Sequence, residues 1–315
     1  MKRCIRVGVF GVGVLGEHHA RIYSSIPEAS LVGVYDANAA RAAEIATRFG
    51  TRSFESAEAL SNEIEAASIV VPTDRHREVA GALLKKGLHL LVEKPLAART
   101  ADAEELVALA EKFKVILQVG HVERFNPVLN IFTTFESPPR FIEAHRLAPY
   151  PTPRPGLPPR GTEVSVVLDL MIHDLEVLLH LVRSEVKEIR AVGIPVLSPS
   201  EDIANVRLLF QNGCVANVTA SRISPERMRK IRVFFDDAYV SLDYMNQSGE
   251  IHRRTATGIQ REEVPVKKEE PLRCELESFL ACVEKRDRPR VGGEEAAEAL
   301  RLAVDICQRM RKGPS

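Results

Sequence analysis

Cys4-Ile5-Arg6-Val7-Gly8-Val9-Phe10 runs straight into Gly11-Val12-Gly13-Val14-Leu15-Gly16, and a second apolar run, Leu31-Val32-Gly33-Val34-Tyr35, ends in Asp36. Both runs are short and rich in β-branched residues, which predicts strands, and the stretch between them suits a helix. In the order strand, glycine loop, helix, strand, acid, each glycine has a task. Gly11 permits a tight turn, Gly13 lets backbone N–H groups reach a pyrophosphate, and Gly16 lets the helix sit close to the sheet. A carboxylate at Asp36 would accept hydrogen bonds from the adenosine ribose hydroxyls and repel a 2′-phosphate. Its followers Ala37 and Asn38 supply no cation, so NAD is expected in preference to NADP. The competing reading of Asp36 is a cap for a helix starting near Ala39.

Outward from this loop, strand and helix patterns alternate. Ala67 to Val71, Leu88 to Val92 and Val115 to Val119 read as strands, with helices near 75–86 and 100–113, so a doubly wound parallel sheet is expected over residues 1–120. Beyond Gly120 the rhythm changes to one strong helix near 164–183. Strands then follow near 186–196, 202–210, 214–222, 229–235 and 239–243, which predicts a largely antiparallel sheet in a second α/β domain, 121–315. Two amphipathic helices near 272–286 and 293–311 close the chain and are expected to pack across the domains. Pro149 to Pro159 holds six prolines and reads either as a stiff connector or as a lid whose arginines meet a substrate phosphate.

The 315 residues suffice for two domains, and 45% hydrophobic with 27% charged residues fits a soluble globular chain. Forty-three basic residues balance 43 acidic ones, so no global field draws the protein toward nucleic acid or an anionic membrane. Five scattered cysteines without a CxxC pair argue against a disulfide framework and a zinc site and suit a reducing cytoplasm. The charged or glycine residues at Arg6, Gly8, Gly11, Gly13 and Gly16 break any signal-peptide core, so the start reads as mature sequence. No metal is expected.

Chemistry is expected at the carboxyl ends of the first sheet's strands. Glu93-Lys94-Pro95 follows the strand Leu88 to Val92, and a lysine there can donate to a substrate oxygen and stabilise a developing alkoxide. Pro72, Thr73 and His76 follow the strand Ala67 to Val71, where they can line a ribose; Val14, Leu15, Arg41 and Glu93 complete the expected cofactor contacts. On the strong helix, Asp169 and His173 stand four apart and share a face, so the carboxylate can hold the imidazole in one tautomer for proton acceptance. Gly120-His121-Val122-Glu123-Arg124-Phe125-Asn126-Pro127 reads either as substrate contacts or as a hinge. Arg124, Asn126, Arg146, Arg154 and Arg160 are the candidates to bind substrate. His18 and His19 are read as helix-start residues only.

Together GVGVLG, Asp36, VPTDRH, EKP, GHVERFNP and DLMIH resemble the glucose-fructose oxidoreductase and inositol dehydrogenase (Gfo/Idh/MocA) family. That resemblance implies a nicotinamide-binding Rossmann domain, a C-terminal domain with an open antiparallel sheet, and a homodimer or homotetramer. It makes Lys94 and His173 the catalytic pair, with Asp169 in support. VEKPLA, VVLDLMIHDLE, EDIANVRLLF and ANVTASR are similar to a subgroup that oxidises C3 of UDP-N-acetylglucosamine. There a pathway aminotransferase converts the 3-keto sugar for lipid A or surface glycans. A dehydrogenase of a free sugar, inositol or sugar acid, and a non-catalytic NAD-binding sensor, are the alternatives. Glu163-Val164-Ser165-Val166-Val167 stands where the family often carries glycines.

Overall fold

The computed structural model describes residues 4–152, 159 and 161–312. From the N-terminus the elements are β1 (Ile5–Phe10), α1 (Val14–Tyr23), β2 (Ala29–Tyr35), α2 (Ala39–Phe49), β3 (Arg52–Ser53), α3 (Ala57–Ser61), β4 (Ala66–Ile69), α4 (Thr73–Lys85), β5 (His89–Glu93), α5 (Thr100–Phe113) and β6 (Leu117–Gly120). After two 3₁₀ segments come β7 (Phe141–Leu147), a π-helical turn at Val167–Met171, α6 (Ile172–Val182), β8 (Val186–Ile194), β9 (Ile203–Phe210), β10 (Val215–Ser221), β11 (Met228–Phe234), β12 (Ala238–Asp243), β13 (Ser248–Thr255) and β14 (Gly258–Glu263). Helices α7 (Pro271–Lys285) and α8 (Gly293–Lys312) end the chain.

The chain divides into two units, and each draws on two segments. Unit 1 runs through Val122 and takes up Glu270–Ala297 again; unit 2 is Glu123–Glu269 with the stretch from Glu298 onward. Helix α7 thus belongs to unit 1 although it follows the whole second sheet in sequence.

Unit 1 is a six-stranded parallel sheet in the order β3-β2-β1-β4-β5-β6. The order reverses between β1 and β4, and that switch point opens a crevice at the carboxyl ends. β1, β4 and β5 are almost wholly buried, as strands covered by helices on both faces must be. Val7, Val9, Ala20, Ile22, Tyr23 and Ile45 form one cluster with Leu276, Phe279 and Leu280 of α7. Each Val, Ile, Leu or Phe side chain buried there contributes roughly 1.5–3 kcal/mol, which is why a segment so remote in sequence joins this unit.

Unit 2 is an eight-stranded sheet in the order β14-β13-β12-β11-β7-β10-β9-β8, antiparallel except where β7 lies parallel to β10. Alternation leaves one face apolar: Ile142 and Ala144, Ala204, Val206 and Leu208, Ala216 and Val218, and Ile231 and Val233 are all buried. Helix α6 packs on β7 and buries Leu175, Leu178 and Val182. No helix among the described residues is long and apolar enough to cross a membrane.

His89 on β5 is 4% exposed, and its Nδ1 accepts the Ile116 N–H at 2.8 Å. Burial, joined by repulsion from Arg286, pushes its pKa down to about 4 from an ordinary 6.5. The unfolded chain then binds a proton that the folded chain refuses, so stability present above pH 6.5 is lost as pH falls toward 4, by at most ~1.4 kcal/mol per pH unit. His89→Asn keeps an acceptor near the Nδ1 position without the titration. Urea unfolding across this range should show the native protein losing stability relative to the variant, and parallel pH curves would refute the assignment.

Candidate active site

Unit 1 carries the glycine loop at the end of β1. Gly11 has φ +84°, and a Cβ there would lie 2.6 Å from the Val70 carbonyl oxygen; at Gly16 it would lie 1.9 Å from the Gly11 carbonyl oxygen. Only glycine fits either place. Gly13 differs, because a Cβ there meets nothing within 4 Å. Gly13 is the N-cap of α1 and no side chain caps that helix. Uncapped amides beside open space are what a dinucleotide pyrophosphate requires, so these residues fit such a group. Val14 is 69% exposed beside them and Leu15 is half-buried.

Asp36 does not cap α2. Asn38 does, its side chain accepting the Arg41 N–H. Asp36 Oδ2 accepts the Val12 N–H at 2.7 Å and Oδ1 the Asn38 N–H at 2.8 Å. Each oxygen keeps a further lone pair. Arg41 donates from Nε to the Val12 carbonyl at 2.9 Å and from its terminal nitrogens to Glu44 and Glu17. The Arg41 hydrogen bond, more than any other favourable contact, holds the Glu17 carboxyl below its ordinary pKa. Arg41 is thus a strut between α2 and the loop.

At the end of β5, Glu93 is 7% exposed, with Oε1 3.1 Å from His19 Nε2 and Oε2 accepting the Lys94 N–H at 3.2 Å. Lys94 is half-buried, and its bond to Pro95 is cis. His76 sits 1% exposed, with Nδ1 2.9 Å from the Pro95 carbonyl oxygen and Nε2 2.9 Å from that of Val71. Burial pushes its pKa down, while those carbonyls pull the other way. His76 is committed to bracing the β4 and β5 exits, so its ring does not reach out to a ribose. Pro72 is exposed and Thr73 opens α4 with no side-chain cap.

Unit 2 holds the second set. Asp169 lies in the π-helical turn and His173 in the first turn of α6, both half-buried. Wide turns of this kind recur at functional sites because they displace side chains from the regular face. Gly161, at φ +84°, presses its backbone against Asp169: a Cβ there would come 2.4 Å from Oδ2. The Gly161 carbonyl accepts from Arg222 at 2.6 Å, and Arg222 also binds the Val164 carbonyl, Ser200 Oγ and Asp202 Oδ1. Asp202 Oδ2 takes the N–H groups of Val196, Leu197 and Ser198. Burial opposes that charge, but these bonds and Arg222 keep the carboxyl well below the usual range.

Two of the arginines expected to meet substrate, Arg124 and Arg146, turn inward. Arg146, 3% exposed, donates from Nε and a terminal nitrogen to both Asp174 oxygens at 2.7 and 3.0 Å and from the other to Glu123 at 2.9 Å. Arg124, 6% exposed, pairs with Glu176 at 2.9 Å. Asn126 gives its amide to Glu123 and the Tyr244 carbonyl and accepts the Val128 N–H. Buried ions persist only when paired in this way, and Asp174, pinned inward, leaves the adjacent His173 on another side of α6. Glu123 stays ionised despite its burial because Arg146 and Arg229 lie beside it. Arg154 and Arg160 lie outside the described residues. Sequence reasoning missed His19, Arg222 and Arg229; only the position of His19 three residues after Gly16 offered a signal. No group of His, Cys, Asp and Glu among the described residues is arranged to hold a metal.

Two family models match this chain: an oxidoreductase family with an NAD-binding Rossmann fold over residues 5–121, and the GFO/IDH/MocA C-terminal domain over residues 138–241. The chain is 38% identical over 286 residues to UDP-N-acetylglucosamine 3-dehydrogenase of Acidithiobacillus ferrooxidans, covering 89% of this chain and 88% of that protein. Its fold matches the solved structure of that organism's UDP-N-acetylglucosamine 3-dehydrogenase GnnA with a TM-score of 0.92, at 36% identity over 98% of each chain. It is 31% identical to scyllo-inositol 2-dehydrogenase (NAD(+)) of Bacillus subtilis, covering 71% of this chain and 69% of that one. A levoglucosan dehydrogenase solved with NADH and levoglucosan shares the fold, with a TM-score of 0.89 at 17% identity and 98% coverage of each chain.

The contrast between Gly13 and Gly16 can be tested directly. Gly16→Ala should destabilise the protein by about 1–3 kcal/mol or more, because backbone must move. Gly13→Ala should melt like the native protein yet bind nicotinamide dinucleotide about tenfold or more weakly, by calorimetric titration. Equal dinucleotide affinity in Gly13→Ala would remove that loop from the site.

Proposed function

Because the chain belongs to the GFO/IDH/MocA oxidoreductase family, we propose that it oxidises the C3 hydroxyl of UDP-N-acetylglucosamine to the 3-keto sugar, with NAD as acceptor. What supports this reading is the 38% identity to UDP-N-acetylglucosamine 3-dehydrogenase, which extends over 89% of the chain and so through both units. NAD is favoured over NADP because Asp36 presents a carboxylate, and the nearby Arg41 guanidinium is already committed to Glu17, Glu44 and the Val12 carbonyl.

NAD, when bound, supplies the nicotinamide C4 that accepts hydride. The chain's own residues do the rest. His173 takes the hydroxyl proton, Asp169 orients the imidazole, and the Lys94 ammonium stabilises the alkoxide that forms as that proton leaves and collapses to the carbonyl as hydride departs. Oxygen loses a proton to His173 and carbon loses a hydride, leaving the ketone. Gly13 and the α1 amides hold the pyrophosphate, and Asp36 holds the adenosine ribose. The keto sugar suits a transaminating enzyme, as in the building of an amino-sugar lipid A or surface glycan in the cytoplasm, and the working form is a homodimer or homotetramer.

A free inositol or sugar is the second reading. It is favoured by the inward commitment of Arg124 and Arg146, which removes two cations from service to a diphosphate. Nicotinamide reduction by the purified protein should be fastest with UDP-N-acetylglucosamine among that sugar, its uronic acid, glucose and myo-inositol. Lys94→Ala and His173→Ala should each lower turnover by ~10²- to 10⁴-fold while sparing NAD affinity. A preference for myo-inositol selects the second reading, undiminished turnover in both variants refutes the assigned roles, and NAD binding with no turnover on any sugar marks a sensor.

A further inference from the structure

His19 is 0% exposed on α1, and both its ring nitrogens are engaged. Nε2 lies 3.1 Å from Glu93 Oε1, Nδ1 lies 3.0 Å from Ser68 Oγ, and Ser68 Oγ in turn lies 2.9 Å from the Tyr23 hydroxyl. Burial pushes the Tyr23 phenol above its ordinary pKa, so it remains an O–H donor. With Glu93 ionised, one arrangement satisfies every atom and keeps the ring neutral. Tyr23 donates to Ser68, Ser68 donates to Nδ1, and Nε2–H donates to Glu93. The chain of donors ends at a carboxylate whose other oxygen accepts the Lys94 backbone N–H. That carboxylate is confined from β6 as well, since a Cβ at Gly120 would come 2.9 Å from it.

Plain packing does not account for this. A leucine would fill the space without burying polar nitrogens, and burying such groups is unfavourable unless they are bonded. Nor can His19 touch a substrate from a position closed to solvent. We propose that His19 is a positioning residue: through Glu93 it fixes the carboxylate that anchors the Lys94 amide, and so fixes where the Lys94 side chain leaves β5. His76 braces the same turn through the Pro95 carbonyl. The inference rests on Lys94 acting in the oxidation.

Glutamine places its amide N–H where Nε2 sits, and asparagine places its amide where Nδ1 sits. His19→Gln therefore retains the bond to Glu93, whereas His19→Asn retains only the bond to Ser68. Hydrogen exchange followed residue by residue by NMR reads the Lys94 amide itself, with the Leu96 and Ala97 amides as internal references and no amide at Pro95. In His19→Asn that amide should exchange about tenfold or more faster, and kcat on the sugar should fall about tenfold or more with KM within about threefold. His19→Gln should recover most of both.

Equal behaviour of the two variants in exchange and in kcat would overturn the proposal, as would a split in exchange without one in kcat. If neither variant folds, the native protein decides through its own Lys94 amide: protection supports the anchor, and exchange at the unprotected rate overturns it. A native enzyme inactive on every sugar, with the exchange split intact, would refute the role of Lys94 while leaving the link from His19 to Lys94 standing.

Discussion

Helix α1 lies so near the first sheet that a methyl group at Gly16 would sit 1.9 Å from the Gly11 carbonyl oxygen, and most of unit 1 follows from that closeness. It sets the uncapped start of α1 over the crevice between β1 and β4. It also brings His19, less than one turn beyond Gly16, within hydrogen-bond distance of Ser68 on β4 and close enough to meet Glu93 on β5. One contact of backbone on backbone thus serves two purposes. The loop is shaped for a phosphate, and the exit of β5 is tied to the same helix. A longer side chain at Gly16 would lift α1 away and slacken both, although no atom of Gly16 takes part in chemistry.

Unit 2 solves the same problem of holding side chains still by charge rather than by close approach. Glu123, Arg124, Arg146, Asp174 and Glu176 are each less than a tenth exposed. Desolvating such groups is unfavourable by several kcal/mol apiece, and removing one partner of a buried pair typically costs about 3–5 kcal/mol. An interior of this kind tolerates almost no rearrangement, because any shift leaves an ion unpaired. Arg146 clamps β7 to α6 through Asp174, while Arg222 clamps the Gly161–Val164 backbone against Asp202. His173 and Asp169 therefore each follow from a clamp that touches a neighbour and not the residue itself.

The parts legible in the sequence share one property, which is that their meaning lies within a few residues. GVGVLG, the carboxylate after β2, the alternation of strand and helix up to Gly120, and Lys94 after β5 all depend on local spacing, and the elements appear within a few residues of their expected places. Asp36 shows the limit of that reading. The helix cap, which spacing alone left open to it, is made instead by Asn38, whose side chain accepts the Arg41 N–H. β7 was missed because its buried face reads Ile142, Ala144, Arg146, and a cation on the inward side breaks the apolar alternation by which a strand is recognised. β13 and β14 were missed for the opposite reason: β14 is exposed throughout and offers no alternation at all.

Arg146 shows why charged residues were the harder half of the site. In a linear sequence a cation between predicted elements looks available, since its formal charge is visible and its partner is not. Asp174 is 28 residues away and Glu123 is 23 residues away in the other direction. Their pairing is set by the register of β7 between β10 and β11, which no local pattern encodes. The fork of Nε and one terminal nitrogen on Asp174, with the remaining nitrogen on Glu123, uses the planar geometry that only a guanidinium has. A lysine would carry the same charge and lose the clamp.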